Sequence, residues 1–323
     1  MAMMNAAVVT SFDEPPHYQR YQVPEPRTGD EIIVDVLAVG LHPRTRTGAA
    51  GAHYTSSGTL PMIPGIDAVG RRSDGTQIYF VADEDAGTMA EKAVADVSRA
   101  IELPAGAHAA KIAAAMNPAM SSWVAMRRRV PIRSGSGQSV LVLGATGNAG
   151  AMAVQVAKRL GAGRVVAAGR DPDRLGALTD VGADALVQLT DDGDATAAAL
   201  GAAAAEVDIV IDYLWGEPAL LAMMALLTER ADRSRALDWI QIGAVAGPSI
   251  ELPSVALRSA NLRLQGNGQG AVSTEAYLAE LPSLVDEIEA GTIGIRTNTF
   301  PLADVEPIWA RPDVPGERTV LVP

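Results

Sequence analysis

The run Val140-Leu-Val-Leu-Gly144-Ala-Thr146-Gly147-Asn148-Ala149-Gly150 begins as a strand and ends as a helix. Ser139–Leu143 is polar only at its start, which suits a strand buried on both faces. Asn148–Leu160 repeats apolar residues at helical spacing through Met152, Val156 and Leu160. Between them, Gly144 ends the strand, Gly147 lets backbone approach a pyrophosphate, and Gly150 lets the helix pack on the sheet. Backbone amides opening the helix then form an anion site. The spacing departs from strict G-x-G-x-x-G, with Ala145 in the middle place. A glycine-rich turn with no ligand is the alternative. The flanking strand and helix, and a second strand from Arg164, favour a dinucleotide loop.

The end of that second strand separates two cofactors. An NAD site wants a carboxylate there for the ribose 2′-hydroxyl. This chain reads Val165-Val166-Ala-Ala-Gly169-Arg170-Asp171-Pro-Asp-Arg174. Gly169 holds the strand-end place, and the guanidinium forks of Arg170 and Arg174 suit a 2′-phosphate, so NADPH is expected. Asp171 fits a helix cap before Pro172.

Strand and helix alternate onward to a strand at Leu237–Ile242, giving a doubly wound α/β unit. The first hundred residues differ. Short β-rich runs (Ala6–Thr10, Glu31–Gly40, Ala68–Arg71, Gln77–Val81) lie between Pro/Gly turns, predicting a barrel-like β domain. Ala-rich helix follows from about Ala109 through Ser121–Arg129. The tail, with an amphipathic helix at Leu278–Ala290 and a strand at Arg318–Val322, is expected to rejoin the β domain. The expected division is residues 1–115 completed by 275–323, and 116–274 as the inserted dinucleotide-binding domain.

Composition narrows the chemistry. The 323 residues carry a formal charge of −12 and 48% hydrophobic residues, which speaks for a globular fold and against binding nucleic acid or anionic membranes. The run Arg127-Arg128-Arg129 reads as a solvated helix end. With no cysteine, disulfides, thiolate nucleophiles, iron–sulfur clusters and Cys-based zinc sites are excluded. No apolar stretch approaches the roughly 20 residues needed to span a bilayer, and no signal peptide is legible, so a cytoplasmic location is expected.

Taken together, Gly58-Thr-Leu-Pro61-Met-Ile-Pro64-Gly65-Ile-Asp67-Ala-Val-Gly70, the Gly144–Gly150 loop with Gln155-Val-Ala-Lys158, Asp212-Tyr213 and the ending Gly316-Glu-Arg-Thr-Val-Leu-Val-Pro323 are similar to the medium-chain dehydrogenase/reductase superfamily. The resemblance is to its zinc-free quinone oxidoreductase branch and covers nearly the whole chain. It implies a GroES-like catalytic domain, an inserted Rossmann domain and an active cleft between them. It also implies hydride transfer from NADPH to a quinone or an α,β-unsaturated carbonyl, no metal, and a homodimer paired at sheet edges, here Asn261–Gln265. Departures are visible. His42 stands where this branch usually has Asn and the zinc enzymes Cys, and their Gly-His-Glu reads Gly65-Ile66-Asp67. Leu189 stands where a tyrosine often flanks the 2′-phosphate.

The resemblance places Pro43–Ala52 at the cleft, flanked by His42 and His53. His42 is either structural or in contact with substrate or nicotinamide. Tyr54 is the preferred proton donor, with a loop tyrosine as its plain alternative. Ser122 matches the family hydroxyl at the nicotinamide, with Asn117 and Ser121 beside it; helix capping by Asn117 or Ser121 is the alternative. Gly243, Asn267 and Gly268 occupy later strand ends expected to line the nicotinamide side, while His17 and His108 read as surface residues. Two other functions stay open. Atypical short-chain reductases share such loops, but theirs open the chain. A nucleotide-binding regulator that lost the chemistry would differ in NADPH turnover.

Overall fold

The computed structural model describes residues 2–51, 58–82, 87–268, 270–314 and 316–323. The chain divides into two compact units, Met1–Asn117 with Thr274–Pro323, and Pro118–Ser273. In chain order the first strands are Met3–Val8 (β1), His17–Gln22 (β2), Glu31–Gly40 (β3), Asp67–Arg71 (β4), Gln77–Val81 (β5), Lys92–Asp96 (β6) and Ala100–Glu102 (β7). Then come Ser139–Leu143 (β8), Arg164–Gly169 (β9), Ala185–Gln188 (β10), Ile209–Asp212 (β11), Leu237–Gln241 (β12) and Leu262–Gly266 (β13). Arg296–Pro301 (β14) and Glu317–Val322 (β15) end the chain.

In the first unit a seven-stranded sheet runs β14-β15-β3-β4-β5-β7, with β6 also paired to β3, and β1 and β2 form a separate pair. β14 and β15 are parallel, and the other pairs are antiparallel. β3 alternates as a half-buried strand should, with Val34 and Val36 inside and Asp35 outside. A register shift between Val36 and Ala38 then ends the alternation, and Ala38, Val39 and Gly40 are all buried. Pairing of Val320 with Gly40 and Leu321 with Val39 brings β15 against this end of β3. Val34, Val36, Leu41, Ile78, Phe80, Leu302, Ile308 and Leu321 share one core, so the tail completes the unit that the first hundred residues begin.

The second unit is a six-stranded parallel sheet in the order β10-β9-β8-β11-β12-β13. Counted from β8 this is 3-2-1-4-5-6, the doubly wound order whose direction reverses between β8 and β11. Val140, Leu141, Val142 and Leu143 are fully buried, as a central strand covered on both faces requires. The expected fold class, a β-rich unit with a doubly wound parallel-sheet unit, is the one observed.

Two local expectations change. The tail helix is two helices, Thr274–Leu278 and Leu281–Ala290. Helix Ala109–Val124 runs unbroken through Pro118 and continues as a π-turn over Ala125–Arg129. Asn117 and Ser121 therefore lie inside a helix and cap nothing.

Candidate functional site

The glycine loop follows β8 at the point where the strand order reverses. The amides of Gly144 and Ala145 both donate to the Ala168 carbonyl, at 3.0 and 2.9 Å, tying the loop to the end of β9. Gly144 has φ +83°, a conformation glycine adopts without strain. A Cβ on Gly150 would lie 2.2 Å from the Gly144 oxygen, so only glycine lets helix Asn148–Arg159 start this close to the loop. Gly147 precedes that helix and is exposed, Asn148 and Ala149 are half-buried, and the first turn holds no acidic residue. The helix start thus presents backbone N–H groups with no carboxylate to repel an anion, which fits a pyrophosphate.

The end of β9 has a steric reason for its glycine. A Cβ on Gly169 would fall 2.4 Å from Thr146 Cγ2, so a strand-end Asp or Glu has no room. Beyond it Arg170 is exposed, and its guanidinium makes no hydrogen bond or ion pair with the described residues. Arg174 is engaged: Nη1 donates to the Thr146 carbonyl at 2.9 Å and Nε lies 3.0 Å from Asp171 Oδ2. It braces the loop. Asp171 caps helix Pro172–Ala177 by accepting from the amides of Asp173 and Arg174.

At the ends of β11 and β13 a second group gathers. Asn267 is buried, its Nδ2 donates to the Ser121 carbonyl at 2.9 Å, and its Oδ1 has no partner among the described residues. Ser121 Oγ lies 3.2 Å from the Tyr213 hydroxyl. Burial pushes the Tyr213 phenol up, against the pull of the two serine hydroxyls. In the sequence Tyr213 stands out only as a family marker. Ser122, the expected hydroxyl, is fully buried and donates to the Ala119 carbonyl at 3.1 Å, and it acts on Tyr213 together with Ser121. Gly243 sits where a Cβ would come 2.6 Å from the Tyr213 carbonyl, whereas Gly268 is exposed with nothing near its Cβ position.

In the mixed-sheet unit, His42 ends the β3 segment and starts helix Pro43–Ala49. It is 2% exposed, and its Nε2 lies 3.0 Å from Oδ1 of Asp67, which is fully buried. The contact is close but off the line of a hydrogen bond, and among the described residues neither ring nitrogen has an aligned partner. Asp67 faces Val81 across the β4–β5 ladder, and Tyr79 stands two residues along β5, on the same face. The Tyr79 hydroxyl accordingly donates to Asp67 Oδ2 at 2.8 Å. Burial, then the Asp67 charge, holds the Tyr79 phenol well above its usual range. Thr88 Oγ1 donates to the Asp67 carbonyl at 3.1 Å. Arg318 is buried nearby, its Nη1 donates to the Leu41 carbonyl at 3.0 Å, and desolvation lowers its pKa. Tyr54 and His53 lie outside the described residues. His17 and His108 pair with Glu306 and Glu289 at the surface.

A doubly wound sheet with a glycine loop at its switch point, together with a mixed-sheet unit closed by both chain ends, is the architecture of the medium-chain dehydrogenases and reductases. Comparison with known proteins agrees. A zinc-binding dehydrogenase family model matches residues 149–271. The "Probable NADPH-dependent quinone reductase tdiC" of Emericella nidulans is 30% identical over 364 residues, covering 99% of this chain and all, 100%, of that protein. A mycobacterial quinone oxidoreductase structure matches with TM-score 0.82 and 20% identity, over 99% of this chain and 100% of that one. The quinone oxidoreductase of Thermus thermophilus, solved alone and with NADPH, matches with TM-score 0.76 and 23% identity, over 99% of this chain and 100% of that one. The chain belongs to the quinone oxidoreductase-like branch of the medium-chain dehydrogenase/reductase superfamily.

The matched family's description names zinc. The chain has no cysteine, and among the described residues no three His, Asp or Glu side chains stand together as ligands. His42 faces a carboxylate already bonded to Tyr79.

Proposed function

We propose that this chain is a zinc-independent, NADPH-dependent reductase of quinones or α,β-unsaturated carbonyls. The observation that carries the cofactor is the packing of Gly169 on Thr146, which leaves no room for a ribose-binding carboxylate, with the unengaged Arg170 just beyond. The NADPH in the name of the Emericella relative supports the same assignment. The helix start at Asn148 and Ala149 would hold the pyrophosphate, and Arg170 the 2′-phosphate. Asn267, with its buried, unpartnered Oδ1, offers an acceptor to a carboxamide, and Ser121 and Tyr213 offer hydroxyls.

When bound, NADPH supplies a hydride. A quinone or enone suits a site without metal ligands, because its conjugation spreads the negative charge left by hydride addition. The protein then has only to hydrogen-bond the resulting oxyanion or return a proton to it. His42 and Tyr54 are the candidates.

The cofactor assignment is tested by fluorescence titration. Arg170→Ala should weaken NADPH binding about tenfold or more, as the loss of a charge-assisted contact does, and leave NADH nearly unchanged. Equal affinity of the wild type for both cofactors would overturn it. Chelation should leave turnover of a quinone intact, and robust NADP-linked ethanol oxidation would overturn the reaction class. A homodimer is part of the proposal. β13 is an edge strand, and Val245, Val255, Leu257 and Leu264 are exposed on it or just before it. Light scattering at micromolar concentration should give twice the chain mass, 33.5 kDa.

A further inference from the structure

The backbone of Gly169 does not demand glycine, because its φ lies outside the left-handed region that glycine alone enters freely. Space demands it. The three heavy atoms nearest to a Cβ built there all belong to one side chain: Thr146 Cγ2 at 2.4 Å, Oγ1 at 2.7 Å and Cβ at 3.1 Å. Rotating that side chain gives no relief. Two of the three staggered places on the Thr146 Cβ face Gly169, and both hold a heavy atom. Threonine has two heavy substituents for three places, so every rotamer leaves at least one of them in the way. Neither backbone is free to retreat. The Thr146 carbonyl accepts from Arg174 Nη1 at 2.9 Å, the Ala145 amide before it is tied to the Ala168 carbonyl, and the Gly147 amide after it donates to the Gly144 carbonyl at 3.1 Å. On the other side, the Gly169 carbonyl accepts from the Leu189 amide at 2.8 Å, and Gly169 pairs with Gln188 in the β9–β10 ladder. All of these residues belong to Pro118–Ser273, so the contact is complete within one unit.

On the NADPH reading above, on which this assignment rests, we propose that Thr146 is a specificity-determining residue for the cofactor. Its side chain fills the space that a strand-end carboxylate needs, so positions 146 and 169 select NADPH over NADH as a pair. A carboxylate at the end of the second strand binds the ribose 2′-hydroxyl and repels a 2′-phosphate. Thr146 bars that carboxylate by volume, and the exposed Arg170 next to Gly169 supplies the attraction for the phosphate. Selectivity thus has two separable parts, one attractive and one exclusive. Arg174 serves the exclusive part, because by holding the Thr146 carbonyl it holds the side chain against β9. An acidic residue cannot enter at position 169 while threonine stands in the loop, so a change of preference toward NADH has to begin at Thr146.

The test measures Kd for NADPH and for NADH by fluorescence titration of the full chain, with Tm and far-UV circular dichroism alongside. Gly169→Ala should lower Tm by on the order of 5 °C, because the methyl has nowhere to go, and Thr146→Ala/Gly169→Ala should recover most of the loss. Gly169→Asp alone should also lower Tm and weaken both cofactors, with no gain for NADH. Thr146→Ala alone should keep the NADPH preference, since it adds no carboxylate. Thr146→Ala/Gly169→Asp should reverse the preference. NADH should bind about tenfold or more tighter than in Gly169→Asp, and NADPH about tenfold or more weaker than in the wild type. A reversal that needs both changes is a readout that a merely structural role for Thr146 would not give. Thr146→Gly/Gly169→Asp also removes the Cβ at 3.1 Å and guards against a first double variant that fails to fold, and the alanine pair reads the contact with no charge added. A Gly169→Asp that by itself binds NADH tightly would overturn the proposal, as would a Gly169→Ala of native Tm, or folded double variants that still prefer NADPH. A wild type with equal affinity for both cofactors would instead sink the NADPH reading, and the proposal with it.

Discussion

Around the glycine loop, the amides of Gly144 and Ala145 share the Ala168 carbonyl and Arg174 braces Thr146, so the loop's shape is over-determined by the protein itself. In the mixed-sheet unit, His42, Thr45 and Asp67 are buried but, among the described residues, keep polar atoms without aligned partners. The first arrangement is preorganised: it presents backbone N–H groups to an anion with little left to rearrange on binding. The second holds hydrogen-bonding capacity in reserve. Rigidity of the first kind is what holding a cofactor requires.

The contrast can be broken from the loop side first. Gly150→Ala places a Cβ against backbone atoms of Gly144 and Ala145, at 2.2 and 2.7 Å, which no side-chain rotation relieves. NADPH affinity should fall about a hundredfold, roughly 2.7 kcal/mol, while far-UV circular dichroism stays native. An unchanged affinity would mean that the loop is less fixed than its hydrogen bonds indicate.

Gly40→Ala attacks the other site. The new Cβ meets the Ala113 carbonyl and the His42 ring, so kcat should drop about tenfold or more and stability by about 1–3 kcal/mol, read by denaturant titration, with NADPH binding preserved. Loss of stability with full kcat would return His42 to a packing role.

The smallest effect belongs to Asp171→Ala. It removes the cap of helix Pro172–Ala177 and one partner of Arg174, and should cost about 1 kcal/mol of stability in a thermal melt. Freed from Asp171, Arg174 should if anything tighten NADPH slightly. A marked weakening would show that the helix start, and not the guanidinium, carries the phosphate.

Legibility in the sequence followed the range of the interactions. The glycine loop, β8, β9 and the turn at Gly169 are contiguous, and each glycine answers to a local steric demand, so strand, turn and helix can be read in one pass. The reason for Gly169 cannot, because the Thr146 methyl that excludes a side chain arrives from another segment. Tyr79 sits in Gln-Ile-Tyr-Phe-Val, which reads only as a strand, and its tie to Asp67 exists through the β4–β5 register. β14 is not legible because Arg-Thr-Asn-Thr-Phe-Pro has no apolar alternation; it is a strand by virtue of pairing with β15. Family position alone singles out Ser122; that Ser121 Oγ comes within 3.2 Å of the Tyr213 hydroxyl follows from the fold.

The return of β15 to β3 has a consequence for how the molecule is made. On the ribosome, β3 emerges early, but its partner on that side emerges only after the whole of Pro118–Ser273. The parallel-sheet unit is contiguous and can condense while synthesis continues, domain by domain. Gly40, Leu41 and the seat of His42 must wait, with Val36, Val39 and their neighbours short of the Leu302, Ile308 and Leu321 side chains that finish their core. Pairing across so long a separation is intrinsically slow. The seat of His42 should therefore mature after the nucleotide site, and a stalled nascent chain ending near Ser273 should retain NADPH before it can turn anything over.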